Sequence, residues 1–105
     1  MHRLRGDEIF HFYLGDPVEM LHLRPDGTGS TITLGPAPHE GMQLQILVPA
    51  GVWQGARMVG RGRYALLGCT VAPGFEFVDF ELGKREALLR EFPDYAETIR
   101  ALTRS

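Results

Sequence analysis

The sequence contains no Asn, a single Cys, a single Trp and a single Lys, and each shortage narrows what the chain can be. Without Asn there is no glycosylation sequon. One cysteine, Cys69, leaves no internal disulfide, which fits a reducing compartment, and its place in the apolar run ALLGCTV predicts an inert, buried thiol. The eleven basic residues are spread along the chain rather than gathered into a stripe, and the formal net charge is −2. That distribution argues against a nucleic-acid partner. No apolar run approaches the roughly 18 residues needed to span a bilayer, and the start MHRLRGDE lacks a signal-peptide apolar region. The expectation is a cytoplasmic protein without a membrane partner.

What is present is turn chemistry. Thirteen Gly and seven Pro mostly separate short apolar runs, the pattern of many short strands joined by tight turns. EIFHFYL (8–14) and VEMLHL (18–23) read as neighbouring strands around Gly15-Asp16-Pro17. STITL (30–34), residues 42–48, 52–59 and 63–71 follow, the last two as partners in a hairpin about Gly60-Arg61-Gly62. Residues 75–80 are a final strand or a segment covering a barrel mouth. KREALLREF then has helical spacing ended by Pro93, and Asp94 with Glu97 reads as a capping box opening a second helix. The division is a β-barrel core over 1–80 and C-terminal helices over 81–105 packed on the same domain. Strand 8–14 is apolar on both faces, Glu8, Phe10 and Phe12 on one and Ile9, His11 and Tyr13 on the other. One face can line a barrel; a homodimer is the simplest cover for the other.

Two segments resemble the paired motifs of the cupin superfamily. Glu8-IFHFYL-Gly15 keeps the Glu-x6-Gly half of the first motif, while of its His-x-His half only His2 is present, with Leu4 in the second slot. Pro49-Ala50-Gly51 keeps the Pro-x-Gly of the second, with Gln54 in its His slot and Met58 in its Asn slot. The strings HRLRGDEIFHFYLGDPVEML, VPAGVWQGAR and LLGCTVAPGFEFVDFEL are similar to the small cupins of the fifth cupin family. These have been compared with dTDP-4-dehydrorhamnose 3,5-epimerases. The resemblance implies an all-β jelly-roll barrel with a C-terminal helical segment and a small-molecule site inside it.

By that resemblance His2, Glu8 and Gln54 are the candidate catalytic residues. Three readings follow. In an isomerase-, epimerase- or lyase-like enzyme acting on a small polar or sugar-like substrate, His2 is the base, Glu8 orients it or acts as acid, and Gln54 donates a hydrogen bond. The Tyr acid of the epimerases has no match, since Tyr13 and Tyr64 sit elsewhere. In a metal-dependent dioxygenase the ligands would be His2, Glu8 and Gln54, a poor cage that predicts no cofactor beyond a weakly bound divalent metal. In a non-catalytic binding cupin, Phe10, Phe12, Trp53 and Phe75 supply apolar walls and Gln45, Gln54 and His2 orient the ligand. Bland roles weigh against several of these: Trp53 as core or interface, His11 and His22 as packed or interface histidines, His39 as an exposed loop residue. Glu8 stands out because an acid on an apolar face is expensive unless paired.

Overall fold

The computed structural model describes residues 1–60, 62–72 and 80–103, the side chains at 71, 72 and 80 excepted. Among the described residues eight strands form two antiparallel sheets: β1 (His2–Leu4), β2 (Asp7–Gly15), β3 (Val18–Leu23), β4 (Gly29–Leu34), β5 (Gln45–Val48), β6 (Trp53–Met58), β7 (Ala65–Ala72) and β8 (Phe80–Leu82). The larger sheet runs β4-β3-β6-β1-β8 and the smaller β5-β2-β7. Helices α1 (Arg85–Glu91) and α2 (Ala96–Leu102) follow.

Alternation along the strands builds two cores. Val18 and Met20 of β3 and Leu34 of β4 meet Phe12, Ile46 and Val48 of the smaller sheet between the two sheets, with Phe10 packed against them. The opposite face of β3 sends Leu21 and Leu23 outward onto Leu88, Phe92 and Ile99 of the helical segment. Strand β3, apolar on both faces, is therefore a middle layer with sheet on one side and helices on the other, whereas the outward face of β2 stays uncovered, Tyr13 being exposed.

Two strand pairings differ from the sequence expectation. β2 and β3 do not pair. Gly15 still pairs with Ala65, its φ is +111°, and a Cβ there would lie 2.5 Å from the Tyr64 carbonyl oxygen. Asp16 then donates its N–H to the Tyr64 carbonyl and accepts the Arg63 N–H on its carboxylate, both at 2.8 Å. The corner is pinned to the start of β7, so the chain leaves one sheet for the other instead of folding back. The β3 hairpin partner is β4, across Arg24-Pro25-Asp26-Gly27, where Asp26 accepts the Thr28 N–H at 2.9 Å.

Likewise β6 and β7 are not a hairpin, because β6 pairs with β3 and β1 while β7 pairs with β2. The glycines around position 61 mark a crossover between sheets. Strand β5 starts at Gln45 rather than at residue 42. The expected strand over 75–80 falls on residues outside those described, except that Phe80 opens β8. The capping box is absent as well: Asp94 lies in a 3-10 turn, Pro93–Tyr95, and α2 begins after Tyr95 with no side-chain cap. Proline at 93 sets that turn and so shifts the helix start by two residues.

Candidate functional site

Three strands bring the site together through their backbone register. His22 and His2 both pair directly with Gln54, from β3 and β1 on either side of β6. Directly opposed residues of antiparallel strands share a face, so His22, Gln54 and His2 form a row across the larger sheet. The inward faces of β3 and β6 carry it, since Met20 and Val18 continue the His22 face into the core between the sheets. Glu8 comes to this row from β2 of the opposite sheet.

The turn Pro49-Ala50-Gly51 fixes the approach. Asp7 accepts the Ala50 N–H at 2.8 Å, and the Gly51 N–H is donated to the Leu4 carbonyl at 2.8 Å. Ties to Asp7, beside Glu8, and to Leu4 at the end of β1 thus set where β6 begins. As its alternation with Glu8 predicts, Asp7 is exposed and spent on this turn.

At the centre Gln54 Nε2 donates to Glu8 Oε1 at 2.8 Å, and His2 Nε2 stands 3.8 Å from the same oxygen. Glu8 is 6% exposed and Gln54 2%. Burial alone pushes the Glu8 carboxyl upward and is the largest single influence, but hydrogen bonds from His2, Gln54 and Cys69 with the His2 charge outweigh it and hold the carboxyl below its ordinary value. Glu8 is therefore a carboxylate near neutral pH and suits an orienting role better than that of an acid.

Arg3 and Arg57 do not neutralise it. Arg3 bonds Glu81 at 2.5 Å and lies 4.3 Å over the Trp53 ring, and Arg57 bonds Glu19. The partners of this buried acid are an amide, an imidazole and a thiol rather than a guanidinium.

The other candidates divide by face. Phe12 is buried in the core between the sheets and Phe10 packs beside it, below the polar row. Trp53 does not reach the interior: it follows the outward alternation of β6 and packs with Leu21, Leu23 and the helices. Gln45 is also displaced, since it opposes His11 on the outward face of β5 and is exposed. Phe75 lies outside the described residues. His39, in a 3-10 turn, is exposed as expected.

Two residues of the cluster were not singled out as site residues. Cys69 is exposed, not buried as expected, although it opposes Phe10 on the inward face of β7. Partial desolvation and the adjacent Glu8 carboxylate push its thiol up, so it stays protonated near neutral pH. His22 is 3% exposed and its Nε2 has no hydrogen-bond partner among the described residues. Burial, and then the nearby Arg24 charge, push its pKa down and keep the ring neutral. Its place was hidden because VEMLHL is apolar on both faces, and only the strand order shows which face meets Glu8.

Two antiparallel sheets packed face to face, covered on one outer side by helices, are the architecture of a jelly-roll barrel. The chain belongs to the family described as "Cupin superfamily (DUF985)", whose model matches residues 1–83. Among solved structures it is similar to protein SO0799 from Shewanella oneidensis, at 39% identity and a TM-score of 0.89, with 98% of this chain covered. It spans 65% of the length of that protein. A hypothetical protein from Leishmania major is similar at 26% identity and a TM-score of 0.89, over 99% of this chain and 68% of the other. No curated protein matches.

The family fold implies a metal in many of its members, but this donor set does not fit one. Gln54 presents its NH2 group to Glu8, Leu4 stands where the motif has its second His, and of the row's two imidazoles, among the described residues, His2 alone approaches the Glu8 carboxylate. Among the described residues no three His, Cys, Asp or Glu side chains gather closely enough to hold an ion. No helix is long and apolar enough to cross a membrane among them either.

Proposed function

We infer that the barrel binds a small polar molecule against Glu8, Gln54 and His2 and that the His2–Glu8 pair transfers a proton on it, an isomerase- or lyase-like chemistry. The observation that carries this reading is Glu8 Oε1, buried and ionised, shared between Gln54 Nε2 at 2.8 Å and His2 Nε2 at 3.8 Å. A carboxylate beside an imidazole fixes its tautomer and raises its basicity, which is what removal of a proton next to a carbonyl requires. Gln54 holds that carboxylate in place, so its role is positioning. Phe10 and Phe12 would form the apolar floor.

The variants separate a site from a packed core. Glu8→Gln keeps volume and an oxygen that accepts from Gln54, so the melting temperature is expected to stay within a few degrees, as for a substitution that leaves no buried group unpaired (about 1 kcal/mol or less). Glu8→Gln should at the same time weaken ligand binding or turnover, because the carboxylate on which the pair depends is gone. A large loss of stability with ligand binding unchanged would make Glu8 a structural acid and remove it from the site.

The assembly we infer is a homodimer through the outward face of the smaller sheet. Tyr13, Leu47 and Leu66 lie there 62%, 53% and 52% exposed, beside Ile9 and His11, with no Lys, Arg, Asp or Glu among them. Light scattering at micromolar concentration should give twice the mass of the 11.7 kDa chain, and Leu47→Glu should halve it. A stable wild-type monomer would contradict the assignment.

A further inference from the structure

Strand β3 carries one polar side chain into the core between the sheets, and nothing among the described residues answers it. His22 Nε2 is buried with no hydrogen-bond partner among the described residues, although the ring sits directly across the β3–β6 ladder from Gln54. Leaving such an atom unsatisfied costs about 1–3 kcal/mol, and natural cores rarely keep one without a use. An apolar side chain would fill the position at lower cost, since Val18 and Met20, on the same face of the same strand, already pack in the core.

The surroundings indicate what would satisfy it. The ring is neutral at neutral pH, so Nε2 offers either one donor or one acceptor, set by its tautomer. Glu8, which meets the same row through Gln54, is a carboxylate and accepts hydrogen bonds only. Arg24 lies at the same end, but its guanidinium is tied to Ser30 at 2.8 Å and Thr28 at 3.4 Å. An anionic group entering between Glu8 and His22 would meet a negative charge and a neutral ring. A hydroxyl, in contrast, donates to the carboxylate and serves either imidazole tautomer.

We propose that His22 is a substrate-binding residue, and that the ligand enters the barrel by an uncharged end whose adjacent hydroxyls bond Glu8 and His22 Nε2 together. This rests on the reading of Glu8 and Gln54 as the binding site and extends it to a residue and a ligand class. It also gives the unpaired nitrogen a function that a packed histidine lacks.

The test uses the full chain, with glycerol and D-ribose as uncharged diol probes and inorganic phosphate as the anionic one. Long-range proton–nitrogen spectra of the imidazoles follow Nε2 of His22, assigned by its loss in His22→Phe. The diols are expected to shift that resonance and phosphate to leave it in place. His22→Phe should weaken diol binding by about tenfold, the worth of one hydrogen bond, while leaving the melting temperature unchanged or higher. If phosphate moves His22 and the diols do not, the ligand class is wrong. If His22→Phe lowers the melting temperature and leaves diol binding intact, the ring is structural. Should Glu8→Gln abolish diol binding while His22→Phe does not, the His22 assignment fails alone. Diol binding indifferent to both variants would overturn the underlying site as well.

Discussion

Leu21→Ala is expected to destabilise the protein by about 2–5 kcal/mol, the range for a buried Leu whose removal leaves a cavity. Leu21 has no solvent exposure and stands where the outward face of the larger sheet meets Leu88, Phe92 and Ile99. At roughly 4–8 °C per kcal/mol for a domain near this size, the melting temperature should fall by at least about 8 °C. The change also bears on the site, because Leu21 precedes His22 on β3 and its anchoring fixes the height of that strand against β6. Ile99→Ala, from the helix side of the same cluster, should give a loss of the same order. Losses under about 1 kcal/mol for both would mean that the helices are not packed on the sheet and that the outer core does not exist as described.

Acid should destabilise the protein in two stages, one for each titrating group of the site. For His22 the folded pKa is lowered below the ordinary 6.5, so the unfolded chain takes up a proton that the folded one refuses. Its contribution is complete above pH 6.5 and is lost as pH falls below it, toward the folded value. The Glu8 carboxyl is lowered below the ordinary 4.5, so its contribution is complete above pH 4.5 and is lost as pH falls through the folded value. Denaturant midpoints between pH 8 and 3 should therefore fall first below about 6.5 and further below about 4.5. His22→Phe should flatten the first stage and Glu8→Gln the second. A wild-type profile that is level from pH 7 to 5 would contradict a buried neutral His22.

Much of the fold was legible because turn residues mark where strands end, whatever those strands pair with. Pro25-Asp26-Gly27 and Pro49-Ala50-Gly51 sit at the ends of real strands, and the helical spacing of Ala87, Leu88 and Phe92 marks a real helix. Pairing was not legible, since Gly15-Asp16-Pro17 has the composition of a hairpin turn but is held to β7 by bonds to Arg63 and Tyr64, about fifty residues on. No local pattern reports such a contact.

The site divides along the same line. His2, Glu8 and Gln54 were found through motif spacing, and the register of β1, β2 and β6 brings them within reach of one another. Trp53 follows Gln54's strand but occupies the opposite face, and motif spacing carries no information about which of two neighbours points inward once both faces are covered. Cys69 and His22 belong to strands whose place beside Glu8 depends on the crossover. Their role is visible only when the sheets are assembled.

The most direct test of the barrel interior as the functional site is a crystal structure of protein purified without chelator and grown in the presence of D-ribose. Density for a small molecule is expected between the sheets, in contact with the Glu8 carboxylate and the His2 and His22 rings. The opposite result is density confined to the open groove of about 800 Å³ beside Met1, Lys84, Arg90 and Thr103, with the space around Glu8 and Gln54 filled by the protein's own side chains. That outcome would make the polar row a packed core and move the search for function to the helical side.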